Sequence, residues 1–354
     1  MTLVPLYGHE GLKRSLSEAA RRGSLPAAIL LHGPPGVGKQ RLGLWLGQML
    51  LCQEESPPCG TCQTCRYCQA LGHPDLHWVF PIPRPRDGEP TDDDRSSAIA
   101  ARAASHGLYA PPSGSDAIFV AMVRSILRAA AMSPALARRK VFVVGDAERM
   151  VPQEGAEAAA NAFLKLLEEP LPDTTLVLTS SVPGSLLPTI RSRVVGLRVP
   201  HVADKAVGDF LADAKVSEAL EGLGVPSDRE RLIQLVGGAP GSLFTRADAA
   251  DAQSRADRFV EAVSRKRSAD RYSLALSAGA ARARATFTDS LDALAGALHR
   301  RTRDAVDEGR HDQALALATS LDAVNRSAIL AAGNVNPQLI TASLLARMAE
   351  ALGE

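Results

Sequence analysis

The sequence is poor in aromatic residues, with 2 Trp, 4 Tyr and 8 Phe in 354 positions, too few for a surface that stacks successive bases of a single strand. It also lacks an excess of either charge. With 40 Lys+Arg against 39 Asp+Glu the formal net charge is +1, so the electrostatic footprint of a chain that grips nucleic acid by itself is missing. No apolar stretch approaches the ~20 residues that span a bilayer. His9, Glu10, Lys13 and Arg14 stand where a signal peptide would carry its apolar run. We therefore expect a cytoplasmic protein with no membrane partner. Cysteine is missing everywhere except one short stretch, Cys52 to Cys68, which holds all five. An odd number crowded so closely, without a secretory signal, reads as metal ligands and not as disulfides. What remains is ordinary for a globular chain, 45% hydrophobic and 22% charged, and long enough for two or three domains.

Apolar periodicity predicts a helix over Leu6 to Arg22, a short strand at Ala27 to Leu31, and a second helix from Lys39 to Leu51. After the cysteines come His73-Pro74-Asp75 and the apolar Trp78-Val79-Phe80. Residues Pro81 to Asp116 are rich in Pro, Asp, Arg, Ser and Gly without a clear period, which predicts an exposed insertion. A helix is expected from Ala117 to Ala131. The runs Val141 to Val144 and Leu176 to Leu178 read as strands buried on both faces, with a helix over Ala156 to Glu169 closed by Pro170. Strands alternating with helices imply a parallel sheet covered by helices. Beyond Pro200 the strand-like runs stop and the chain becomes helical to its end, balanced in charge and better suited to pack on protein than to hold DNA alone.

Gly33-Pro34-Pro35-Gly36-Val37-Gly38-Lys39-Gln40 follows an apolar strand and opens a helix, the context that makes a phosphate loop credible. Its glycines let backbone N–H groups turn onto phosphate oxygens, the helix N-terminus adds partial positive charge, and the Lys39 ammonium reaches the outer phosphates. The last position is Gln40, where a Ser or Thr hydroxyl would ligate Mg²⁺. The strand at 141–144 runs into Gly145, which has no ligand to offer. Asp146 stands where a water-activating carboxylate is expected, or else begins a helix where acidic residues are favoured. Nucleotide binding stays open, and hydrolysis is expected to be impaired.

Cys52, Cys59, Cys62, Cys65 and Cys68 are separated by six, two, two and two residues. Two-residue gaps let neighbouring thiolates reach one tetrahedral Zn²⁺. An iron-sulfur cluster is the rival, but the three-residue last gap and following proline of that pattern are absent. Five thiols exceed four ligand places, so one is spare unless His73 or His77 joins.

The Gly33 to Lys39 loop, the cysteine module inserted after its helix, His73-Pro74-Asp75 and the run Asn161-Ala162-Phe163-Leu164-Lys165-Leu166-Leu167-Glu168-Glu169-Pro170 belong to one pattern. So do Leu187-Pro188-Thr189-Ile190-Arg191-Ser192-Arg193 and Asn334-Val335-Asn336-Pro337-Gln338-Leu339. Together they resemble the clamp-loader branch of the AAA+ ATPases, most closely the delta-prime family of bacterial DNA polymerase III. The resemblance implies an α/β fold: a RecA-like P-loop AAA+ domain over 1–200, with a zinc module at about 50–70 and the insertion at about 81–116. A small helical lid at 201–246 and an all-helical C-terminal collar at 247–354 that oligomerises complete it.

The same resemblance implies structural zinc on Cys52, Cys59, Cys62 and Cys65, with Cys68 as the extra thiol. It implies a degenerate nucleotide site of Gly33, Gly36, Gly38, Lys39, Gln40, Asp146 and Ser180, with Thr179 as the other hydroxyl at the sensor position. ATP or ADP is an open question there and Mg²⁺ is not expected. Arg193, in the Ser-Arg pair, is implied as an arginine finger acting in a neighbour's site, although Val194 follows where the family usually has Cys. Gln40, Gly145 and Phe244 in Gly241-Ser242-Leu243-Phe244 each depart from the gamma and tau motor subunits, which is the profile of a stator that does not hydrolyse ATP itself. The implied partners are gamma/tau and delta, with the sliding clamp and primed DNA reached through the complex. A gamma/tau-type motor ATPase is the alternative, and a zinc-bearing DNA-binding module a third.

Overall fold

Short apolar runs bounded by turn residues become strands where both their faces can be covered. Five do so here: β1 (Ala28–His32), β2 (Leu76–Val79), β3 (Lys140–Val144), β4 (Thr174–Ser180) and β5 (Val195–Arg198). They form one sheet in the order β2-β3-β4-β1-β5, every pairing parallel. All residues of β3 and β4 are buried. The computed structural model describes residues 2–85, 88–112, 116–151, 157–171, 173–225, 228–244, 257–262, 283–332 and 335–352.

Helices supply the cover: α1 (Glu10–Arg21), α2 (Lys39–Leu51), α3 (Gln63–Gln69), α4 (Asp92–Ala104), α5 (Val120–Ala131), α6 (Ala158–Glu168) and α7 (Pro188–Arg191). Helix α2 spans the residues its periodicity predicts. It starts directly after Gly38, whose φ of 91° is open to glycine and costly for other residues. The core between sheet and helices is built on Leu31, Leu42, Leu46, Phe142, Phe163 and Leu178. The sheet order sets β1 between β4 and β5, so the loop after β1 lies beside the ends of these two strands at a crossover of the topology, where open α/β sheets bind ligands.

Two features were not anticipated from the sequence. The apolar Trp78-Val79 belongs to a strand, paired with β3 through Trp78 and Val143, so the acidic-position strand is third and the hydroxyl-bearing strand fourth in chain order. The aperiodic insertion contains α4, opened by a capping box between Thr91 and Asp94. Composition hid this helix because its polar first turn, Asp92-Asp93-Asp94, suits a helix N-terminus as well as it suits a loop.

The chain divides into two compact units, residues 1–112 with 116–244, and 113–115 with 245–354. The first unit ends in α8 (Asp204–Leu211), α9 (Ala214–Gly222), α10 (Arg229–Val236) and a 3₁₀ turn at Pro240–Phe244. These share an apolar cluster of Val207, Phe210, Val216 and Leu243, to which Val4 from the N-terminal segment is added. In the second unit α11 (Ala283–Asp307), α12 (His311–Ala332) and α13 (Pro337–Ala351) bury Leu291, Leu294, Leu298, Leu344 and Met348. Asn336 caps α13 by accepting the Gln338 N–H at 2.9 Å. Asn334, the first residue of that motif, lies outside the described residues, as do Ala156 and the stretches 245–256 and 263–282. Among the described residues no helix is long and apolar enough to cross a membrane.

Candidate functional site

In the loop between β1 and α2 the Lys39 ammonium is engaged by protein groups. Lys39, 6% exposed, donates to Gly33 O at 2.9 Å, Pro34 O at 2.7 Å and Ser181 Oγ at 2.8 Å, using all three ammonium hydrogens. Burial lowers its pKa to about 8, against the pull of Asp146 and Glu148. Gly36 O accepts the Gly241 N–H at 2.9 Å, so the 3₁₀ turn after α10 rests on the loop. A Cβ at residue 36 would lie 2.9 Å from Ser242 N, which leaves no room for another residue type at that contact.

Gln40 is buried and bonded at both ends of its amide. Trp78 Nε1 donates to Gln40 Oε1 at 3.0 Å, and Gln40 Nε2 donates to Asp146 Oδ2 at 2.8 Å. An indole N–H can only donate and a carboxylate can only accept, so the network itself fixes which amide atom is oxygen. Mg²⁺ does not fit these residues. The one oxygen Gln40 offers is turned to Trp78, its nitrogen faces the acid, and Gly145 contributes no ligand.

Asp146 follows β3 in a left-handed conformation, φ 48°. It stands at the N-cap of the 3₁₀ turn Ala147–Met150, without a side-chain cap bond to it. Its N–H donates to Thr179 Oγ1 at 3.0 Å. Part of the residue reaches solvent, but protein surrounds the carboxyl: desolvation and then Glu148 push its pKa up to about 6, against Lys39, Arg102 and Arg149. Ser180, the residue expected at the sensor position, is fully buried and accepts the Val182 N–H at 3.1 Å. The hydroxyl that meets Lys39 is that of Ser181, whose own N–H donates to Glu148 Oε1 at 3.0 Å. Sequence reasoning missed Ser181 and Glu148, since only the parallel register of β1 with β4 aligns the strand ends.

The sulfur atoms of Cys52, Cys59, Cys62 and Cys65 lie within 4.8 Å of one another. Cys52–Cys62 and Cys59–Cys65 are 3.9 Å apart, Sγ to Sγ, close to the ~3.8 Å edge of a tetrahedron with 2.3 Å bonds. These four residues fit a tetrahedral thiolate metal. Backbone N–H groups of Cys62 and Thr61 hold the Cys59 thiol down to about 6, while burial pushes Cys65 up to about 12. Cys68 is outside the set and packed in the main apolar core. His73 and His77 are outside it too. His73 Nδ1 accepts the Asp75 N–H at 3.0 Å, and His77 stacks on Phe142 with ring centroids 4.5 Å apart. Asp75 accepts N–H bonds from Ala135, Leu136 and Ala137 at 2.6 to 2.8 Å. The His-Pro-Asp run thus ties down the loop before β3, a role its sequence did not reveal.

Arg193 lies just after α7 at the surface. Its Nη1 donates to Thr189 O at 2.9 Å, and Nη2 pairs with Glu168 Oε1 at 2.9 Å. The guanidinium is thereby held against α6 and its own turn.

The family described as DNA polymerase III, delta subunit, matches residues 8–203, just over half of the chain. The delta-prime subunit of DNA polymerase III from Pseudomonas aeruginosa is 32% identical over 226 residues, 63% of this chain and 56% of that protein. The one from Bacillus subtilis is 29% identical over 203 residues, 57% of this chain and 50% of that protein. A gamma/tau subunit from Mycobacterium bovis is 28% identical over 192 residues, 54% of this chain and 27% of that protein. The chain spans about half the length of the delta-prime relatives it matches. On the strength of the family match over its phosphate-loop unit, the chain belongs to the delta-prime family of DNA polymerase III clamp-loader subunits.

Proposed function

We propose that this chain is the stator of a DNA polymerase III clamp loader, a subunit that does not fire its own phosphate loop and lends Arg193 to the ATP site of an adjacent gamma or tau subunit. The observation that carries the reading is the buried Trp78–Gln40–Asp146 network, which turns both ends of the residue-40 amide to protein partners where a motor's hydroxyl would hold the Mg²⁺ that phosphoryl transfer needs. The closed Lys39 contacts support it, and so does the surface position of Arg193. A planar guanidinium that is always charged suits a phosphate across a subunit boundary.

In this reading the P-loop domain is 1–200 and the small helical lid 201–246. The collar, 247–354, joins the ring of gamma/tau and delta subunits. Through that ring the chain helps load the sliding clamp onto primed DNA. Cys52, Cys59, Cys62 and Cys65 hold zinc, which supplies a cross-link to a loop too short to build its own core.

The test is ATP turnover by a reconstituted loader. Arg193→Ala should abolish the turnover of the one site it serves, an effect of about 10³-fold or more there, while Lys39→Ala should change loader turnover little. An equal loss from Lys39→Ala, or ATP hydrolysis by this chain alone at a motor's rate, would instead support the gamma/tau-type motor to which its 28% relative points.

A further inference from the structure

The part of the chain with no role in this reading is α4, the helix inside the 81–116 stretch. Its most deeply buried residue is Arg102, 9% exposed. The guanidinium carbon lies 3.2 Å from the Tyr109 ring centroid, 3.9 Å from Phe80 and 5.1 Å from Trp78. Its Nη1 is buried without a hydrogen-bond partner. An aromatic box of this kind holds a cation by the negative faces of its rings, and an arginine does not escape the cost of burial by losing its proton. The Trp78 ring that Arg102 covers is the one whose N–H fixes Gln40, and Gln40 in turn fixes Asp146. The charges whose field acts on Asp146 are those of Glu148 and Arg149 from the turn after β3, Lys39 from α2 and Arg102 from α4.

We infer that α4 is a plug for the metal side of the phosphate loop, with Arg102 as the fixed internal cation that takes over the charge-balancing place of a divalent ion. This deepens the reading of a loop that does not fire, and rests on it. The consequence is that the metal ligands at 40 and 145 are not the whole difference from a motor subunit. A second cation entering beside Gln40 meets the field of Arg102 in a poorly solvated site, where screening is weak. Arg102 is thus a specificity-determining residue that acts on the site through its charge and through Trp78.

The experiment restores the ligands in the full chain with Gln40→Thr and Gly145→Asp, then compares Arg102 kept, Arg102→Lys and Arg102→Met. Free Mn²⁺ is followed by electron paramagnetic resonance in the presence of ADP, and thermal unfolding checks that each variant is folded. The Arg102→Met protein should bind Mn²⁺ at least about 10-fold more tightly than the other two. Charge, and not packing, is isolated by the lysine variant. Equal binding in all three, or no binding by a folded Arg102→Met protein, would overturn the plug. Should the Gly145→Asp background unfold, the same comparison on Gln40→Thr alone, which adds no atoms to the site, separates the same two outcomes. Tight Mn²⁺–ADP binding by the unaltered chain would sink the parent reading instead.

Discussion

The side-chain amide of Gln40 fills the space that a side chain at Gly145 would need: a Cβ there would lie 2.3 Å from Gln40 Oε1 and 2.4 Å from its Cδ. Two departures from the phosphate-loop pattern, 105 positions apart in sequence, are therefore one structural event. A side chain at 145 would displace the Gln40 amide from the place in which Trp78 and Asp146 hold it.

Coupling between the two positions is measurable. Gly145→Ala should cost about 2–3 kcal/mol by overpacking, and Gln40→Ala about 1–3 kcal/mol by leaving the Trp78 N–H unpaired. The double variant should fall short of their sum by at least ~1 kcal/mol, read from urea unfolding. Additivity within ~0.5 kcal/mol would mean the two residues are independent.

Asp146 should make the fold less stable as pH rises. Its folded pKa of about 6 exceeds the ~3.9 of an unfolded chain, so the folded state binds the proton more tightly. Its contribution is complete below pH ~4 and is lost as pH rises through 6. Asp146→Asn, whose carbonyl still accepts from Gln40, should match the parent near pH 4 and exceed it by about 1–3 kcal/mol at pH 7.5. A constant difference across that range would refute the assignment.

His77 acts in the opposite direction. Burial, only partly offset by Asp75, lowers its pKa to about 4, below the ~6.5 of an unfolded histidine. Its stabilisation is present above pH ~6.5 and lost as pH falls through 4. His77→Phe keeps the ring stacked on Phe142, and its melting temperature should fall less between pH 7 and pH 4.5 than that of the parent.

The thiols separate into two kinds. If the four-sulfur set holds zinc as proposed, Cys62→Ser should lower the metal content, measured by atomic emission, and the melting temperature. Cys68→Ser should keep full metal content, because Cys68 belongs to the apolar core and not to the four-sulfur set. Metal loss from Cys68→Ser with retention in Cys62→Ser would reverse the ligand assignment.

Much of this was legible in the chain because it depends on near neighbours. The apolar run before Gly33, the glycines of the loop and the helical spacing from Lys39 to Leu51 specify strand, turn and helix within 25 residues. The C-x-x-C spacing likewise brings thiols together through local chain geometry. Gln40 and Gly145 were each visible as departures, but not as partners. Tertiary structure alone decided that Trp78 lies in a strand, that Thr179 meets Asp146 and Ser181 meets Lys39, and that a charged helix sends Arg102 into an aromatic box. Each of these depends on parallel pairing or packing between segments distant in sequence. Such contacts follow from how the sheet closes over its core, which no local pattern of residues records.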